Sequence, residues 1–135
     1  MTDSKSKYIK TAFKRYKENK RILREMAFDG VRGIDYTKGN TGKGARTGHE
    51  NALVSYLDEK AAIEKQVAIV DRVLWFYELD NDTAKIDYIK SRWVKGLPLY
   101  RVAMDCYIAN GTAVTWGKDV LALAARAADI FDLWG

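Results

Sequence analysis

Six cations recur near the start of the chain: Lys7, Lys10, Lys14, Lys17, Arg21 and Arg24, at intervals of 3, 4, 3, 4 and 3. On a helix this alternation returns to one face at each turn, so the charges form a row along roughly four turns. Aligned cations repel one another, and only Glu18 and Glu25 interrupt them nearby. The chemistry that suits such a row is neutralisation of an extended anion, such as a nucleic-acid backbone. A solvated helix face with a lysine bias is the competing reading.

Residues 38–48, KGNTGKGARTG, raise a second possibility, because glycine beside lysine can cradle a phosphate. The spacing fails that test. Gly42-Lys43 is followed by Gly44, where a phosphate loop needs Ser or Thr, and Thr37 holds the place of the first glycine. The stretch from Gly30 to Gly48 reads instead as a flexible joint. Its tip carries Lys38, Lys43 and Arg46, of which Lys43 and Arg46 are candidate phosphate contacts. Thr47 and Glu50 fit a capping box that would start the next helix at His49.

His49 is the single histidine and Cys106 the single cysteine. No metal-ligand spacing and no nucleophile–base pair can be assembled from them. The carboxylates form no acid–base cluster, and Asp80, Asp82 and Asp87 fail the calcium-loop pattern at Lys85 and Ala84. The expectation is a protein that is not an enzyme and needs no metal or cofactor. The lone cysteine indicates a reducing compartment, and neither a signal peptide nor a membrane-length apolar run is visible, so the expected location is the cytoplasm.

The 135 residues carry a net charge of +5. That charge is unevenly spread. Residues 1–50 hold 13 Lys and Arg against 6 Asp and Glu, whereas residues 51–135 hold 10 against 12. A single proline and 47% hydrophobic residues favour long helices around a real core.

These residues must be positioned by helices. Ile9, Phe13, Tyr16, Leu23 and Ala27 predict a helix over Ser6 to Phe28. From His49 to about Leu79, Leu53, Tyr56, Ile63, Val67, Val70, Leu74 and Tyr77 follow a near-heptad seam broken at Lys60. The first helix folding back would cover this seam; a homodimer through the same seam is the alternative. Val73 to Tyr77 reads mainly as core. Asp82 is the expected N-cap of the next helix, Ile86, Ile89 and Trp93 its stripe, and Gly96 its stop. Pro98 fits the first turn of a short helix, Leu99 to Cys106, with Val102, Ala103 and Cys106 inward. A tight connection, Tyr107 to Asn110, leads to a long helix from about Gly111 to Phe131, with Ala113 and Trp116 packed inward. This is the organisation of a helix-turn-helix, whose second helix enters the major groove. The expected class is all-α: an N-terminal helical hairpin with a long helix joined to a C-terminal helix-turn-helix. The expected units are 1–48 (basic helix and glycine-rich loop), 49–81 (connecting helix) and 82–135 (DNA-binding unit).

The stretch Lys85 to Ala125 resembles the region-4 helix-turn-helix of sigma factors. The whole chain resembles small phage transcriptional regulators of the RinA and ArpU kind. The supporting residues are FKRYKENKRI, the glycine-rich middle, ENALVSYLDEKAAIEKQVAIVDRVL and RWVKGLPLYRVAMDCYIANGTAVTW, in that order. The resemblance implies a phage-encoded late-gene activator in a bacterial host, binding double-stranded DNA. Where such motifs often place a turn glycine and a capping serine, this chain has Tyr107 and Ala109. Asn110, Thr112, Val114 and Thr115 are the expected base contacts. Arg101, Lys118 and the row Lys7, Lys10, Lys14, Lys17, Arg21 and Arg24 are the expected phosphate contacts. Gly111 and Gly117 read as poor helix residues.

Two other classes fit. A small terminase-like packaging protein would share these elements and form rings. An interaction module would use Trp116, Phe131 and Trp134 to dock on RNA polymerase.

Overall fold

The protein is all-α. The computed structural model describes the backbone of residues 3–38 and 43–135 and the side chains of 3–28 and 53–135. Its helices are α1 (Asp3–Lys14), α2 (Tyr16–Lys38), α3 (Lys43–Leu79), α4 (Thr83–Ile89), α5 (Leu99–Asp105) and α6 (Asn110–Phe131). A π turn, Lys90–Val94, extends α4.

The expected first helix is longer at both ends and is interrupted at Arg15. Hydrogen bonds cross the interruption: Arg15 N–H donates to Thr11 O (2.9 Å) and Asn19 N–H to Arg15 O (2.6 Å). Ile9, Ala12, Asn19 and Met26 are buried, with Tyr16 and Leu23 half-buried between them. This seam also steps by 3 and 4, two residues out of phase with the cation row. Two residues are about 200° on a helix, so the cations stand opposite the seam. Ala27, expected inward, is exposed. A 3.5-residue repeat keeps Asn19 and Met26 facing the partner helix, where a 3.6-residue repeat would drift to Ala27.

That partner is α3. Tyr16 Oη donates to Asp71 (2.5 Å), Asn19 Nδ2 to Gln66 (2.9 Å), and Tyr56 Oη to Met26 O (2.8 Å). As the α2 position climbs from 16 to 26, the α3 position falls from 71 to 56, so the helices are antiparallel. Burial and the Asp71 carboxylate both raise the Tyr16 pKa.

The glycine-rich stretch holds more helix than its composition suggests. The α2 backbone continues through Gly30 and Gly33 to Lys38, and α3 starts at Lys43, so the expected start at His49, capped by Thr47, is superseded. Each glycine costs about 1 kcal/mol in a helix, but extending an existing helix adds a hydrogen bond per residue fixed. The interval 39–42 and the side chains of Lys43, Arg46 and His49 lie outside the described residues.

The seam of α3 is buried at Val67, Val70 and Tyr77, half-buried at Tyr56, Ile63 and Leu74, and exposed at Leu53. A second buried stripe, Ile69 and Val73, lies beside it. With two stripes α3 packs on α1, α2, α4 and α6. Trp75 and Phe76, expected in the core, are 52% and 43% exposed because the two stripes already fill the inward arc.

Asp82 caps α4 through Lys85 N–H (3.2 Å). Gly96 ends the π turn at φ +71°, a conformation that favours glycine. Pro98 sits one residue before α5, at its N-cap. The last residues return to the start of the chain: Tyr8 Oη donates to Leu133 O (2.9 Å), and Trp134 packs on Tyr8 with ring centres 5.7 Å apart.

Gly117 has a packing role. It is buried where α6 crosses Arg92 and Tyr88. A Cβ there would overlap the Arg92 guanidinium and stand 2.9 Å from Tyr88 Oη. At Gly111, a Cβ would meet nothing within 4 Å. Gly111→Ala is therefore expected to raise unfolding stability by about 0.5–1 kcal/mol through helix propensity. Gly117→Ala should lower it despite the same propensity gain. Urea unfolding of both variants checks the contrast; equal stabilisation would show that Arg92 and Tyr88 move aside freely.

Candidate nucleic-acid interface

The candidate surface is built from α5, the four residues Cys106–Ala109, and α6. The end of α5 is closed by Cys106 N–H to Val102 O (2.9 Å), Tyr107 N–H to Met104 O (3.2 Å) and Ile108 N–H to Ala103 O (3.0 Å). Closing the helix this way requires a left-handed residue. Tyr107 supplies it at φ +57°, a position usually given to glycine. The chain then extends at Ala109, whose carbonyl accepts from Ala113 N–H (3.0 Å). No side chain caps α6.

Small and apolar residues hold the pair together. Val102, Ala103 and Ala113 are buried, and Ile108 and Cys106 are half-buried. Tyr88, fully buried, donates its hydroxyl to Ala113 O (2.6 Å) and packs edge-on against Trp116, with centroids 5.8 Å apart. Burial is the main cause raising the Tyr88 and Cys106 pKa values, with Asp87 and Asp105 adding to the latter. A thiol held protonated in this way behaves as a packing group.

The four expected base contacts on α6, Asn110, Thr112, Val114 and Thr115, are all exposed, with Thr112 turned to the far side of the exposed arc from Asn110 and Val114. Asn110, Val114 and Lys118 recur every four residues and share a line on the helix. Thr115 Oγ1 donates to Gly111 O (3.1 Å), which leaves its lone pairs as acceptors for an outside donor. Lys118 is exposed. Arg101 is also exposed but pairs with Asp105 at 3.5 Å, so its charge is partly neutralised.

Along the basic row, Lys7, Lys10, Lys14, Lys17 and Arg24 are exposed. Arg21 is held by both Glu18 and Glu25. The two carboxylates sit three before and four after it, so the arginine is partnered within its own helix. The middle of the row meets the C-terminal unit: Lys10 and Lys14 line a cleft with Arg92, Lys95 and Leu121. Leu121 lies one turn beyond Lys118 on α6.

Arg92, Lys95 and Tyr107 are not in the set expected from sequence. Tyr107 stands where the resemblance places a turn glycine, and that is the signal for its left-handed backbone. The two cations stand in RWVKG, where their spacing of three is common on any helix.

Among the described residues, no three His, Cys, Asp or Glu side chains are grouped to hold a metal ion, and no helix is long and apolar enough to cross a membrane. Compared with family profiles, curated proteins and solved structures, the chain matches none.

Tyr107 is 95% exposed, so little packing offsets its backbone strain. Tyr107→Gly is expected to stabilise the fold by about 0.5–1 kcal/mol, because the left-handed cost of a side chain is removed. Thermal unfolding followed by circular dichroism measures it. A destabilised variant would mean that the ring makes contacts worth more than the strain.

Proposed function

We propose that this chain is a phage-encoded, DNA-binding transcriptional regulator of the late-gene activator type. In this reading α5 and α6 form a helix-turn-helix, and α6 reads double-stranded DNA in the major groove. Asn110 bonds an adenine edge, Val114 touches a thymine methyl, and Thr112 and Thr115 take adjoining bases. Lys118 and the row Lys7, Lys10, Lys14, Lys17, Arg21 and Arg24 hold phosphates. The observation that carries the reading is the four-residue turn between α5 and α6, with left-handed Tyr107, beside an α6 that is exposed at all four base-reading positions.

Self-association is favoured by one further observation. Leu53, Val54 and Leu57 on α3 are 49%, 58% and 53% exposed. A dimer suits a regulator, since paired half-sites mirror a two-fold protein. A ring suits a packaging adaptor of the small terminase type. Light scattering separates the two by particle mass.

Sequencing the fragments that the protein retains from phage and host DNA, near physiological salt, tests the main reading. Enrichment of one intergenic fragment is expected; enrichment at packaging genes would favour the adaptor. On the enriched fragment, Asn110→Ala and Thr115→Ala should each cost about 1–3 kcal/mol, while binding to unrelated DNA stays unchanged. Lys7→Ala with Lys17→Ala should weaken both kinds of DNA and reduce the salt slope by about one per lost contact. Retention with no sequence preference, unaffected by Asn110 or Thr115, would refute base reading by α6. A protein that retains no DNA would leave docking on RNA polymerase as the role of the C-terminal helices.

A further inference from the structure

Where α1, the π turn and α6 meet, the surface opens into a cleft of about 580 Å³. Four of its lining residues are cations, Lys10, Lys14, Arg92 and Lys95, and no carboxylate lines it. Trp93 and Leu121 contribute apolar wall.

What sets this cluster apart is that four cations share one concave site, whereas other cations without an ion pair among the described residues, such as Lys7, Lys17 and Lys118, are exposed on helix faces. Arg21 pairs with Glu18 and Glu25, Lys60 with Glu64, Lys85 with Asp82, and Arg101 with Asp105. Among the described residues, none of the four cleft cations has a carboxylate within ion-pair distance. Four like charges in one concave site repel, and low-dielectric walls strengthen that repulsion. An anion in the cleft reverses the sign of the interaction.

Arg92 is also held in place. Its Nη1 donates to Tyr88 Oη, and its guanidinium stands 4.8 Å from the Trp93 ring centre and 5.8 Å from that of Tyr88. Gly117 leaves the space it occupies. One nitrogen of the fork is used by Tyr88, and the remaining N–H groups keep their donor capacity. A half-buried, pre-oriented arginine fork matches a tetrahedral oxyanion with little ordering cost. The π turn that carries Arg92 and Lys95, closed by Lys95 N–H to Lys90 O (2.9 Å), is a local geometry often found at functional sites.

We propose that this cleft binds a phosphate group. Arg92 is the fork donor, and Lys10, Lys14 and Lys95 are the flanking charges. Two sources carry that chemistry: the backbone of a nucleic acid lying across α1 and α6, and a free polyphosphate or nucleotide. The cleft stands on its own geometry, and only the nucleic-acid source rests on the regulator reading above.

The test compares three proteins: wild type, a cleft variant (Lys14→Gln with Lys95→Gln) and a charge-matched control (Lys20→Gln with Lys60→Gln). Lys14 and Lys95 are exposed, so folding should survive, and circular dichroism checks this. Each protein is titrated at low salt with inorganic tripolyphosphate by calorimetry, and with a labelled 20-base-pair duplex by anisotropy. The cleft variant should lose about tenfold or more in affinity per removed contact, against little change in the control. Arg92→Lys, which keeps the charge and removes the fork, should also weaken binding.

Loss confined to the duplex assigns the phosphate to nucleic acid. Loss confined to tripolyphosphate assigns it to a free ligand. Loss of both indicates a backbone site that the small anion mimics. Equal behaviour of the cleft variant and the control, or wild-type protein that binds neither probe, overturns the proposal. The regulator reading is tested separately, through Asn110 and Thr115.

Discussion

Tyr88 is fully buried and still carries a hydroxyl. A buried hydroxyl without a partner costs about 1–3 kcal/mol, so the packing around it must supply one. Ala113 O accepts from it across 2.6 Å, and Arg92 Nη1 donates to the Tyr88 hydroxyl oxygen. That oxygen therefore joins α4, the π turn and the start of α6. The rings extend the link: Phe13 packs on Trp93 at 4.9 Å, Trp93 on Tyr88 at 5.8 Å, and Tyr88 on Trp116 at 5.8 Å. Such pairs contribute about 0.5–1.5 kcal/mol each beyond their burial. The chain of rings runs from α1 through α4 to α6, so the basic helix and the candidate reading helix are set against one another by direct contact. Gly117 leaves the space that the Arg92 guanidinium and Tyr88 Oη occupy in this crossing.

The α2–α3 hairpin obeys a different constraint. Asn19 is fully buried in its seam and bonds Gln66, while its Oδ1 has no partner among the described residues. An apolar residue would pack there without that desolvation. The polar pair restricts the register, because sliding one helix along the other would leave both amides unpaired in the seam. The Tyr16–Asp71 and Tyr56–Met26 bonds enforce the same register toward either end. Stability and alignment in this hairpin therefore come from different residues.

Local features were the most legible in the sequence. The Asp82 cap, the Gly96 stop and the inward Val102, Ala103 and Ala113 each follow from a residue and its immediate neighbours. The all-α class followed from long runs without proline and with helical spacing. What escaped depended on partners. Ala27 looked inward until the 3.5-residue repeat of the hairpin placed Met26 there. Trp75 and Phe76 looked like core until two stripes of α3 used up the inward arc. Gly117 looked like a weak point because its neighbours, Arg92 and Tyr88, belong to another helix. The expected base contacts are all exposed on α6, but they are spread around it and do not form one line. The phosphate row was legible as a pattern, but the intrahelical pairing of Arg21 and the meeting of Lys10 and Lys14 with Arg92 and Lys95 are tertiary facts.

The charge distribution follows from this geometry. Residues 111–135 carry two basic and three acidic side chains, so most of α6 has no excess of positive charge to hold DNA. A helix in a groove needs phosphate contacts, but they need not be its own. The ring stack that seats α1 against α4 and α6 brings Lys10 and Lys14 of α1 to a cleft that Leu121 of α6 also lines. On the proposed reading, affinity and specificity then reside on different helices. The cations of α1 and the π turn would supply the salt-dependent, sequence-independent term. The short polar and apolar side chains of α6 would supply discrimination, which an excess of charge on the same helix would dilute by strengthening every wrong site equally. The Tyr88–Arg92–Gly117 crossing fixes the distance between the two. It is thus the point at which a change in packing would be read as a change in binding.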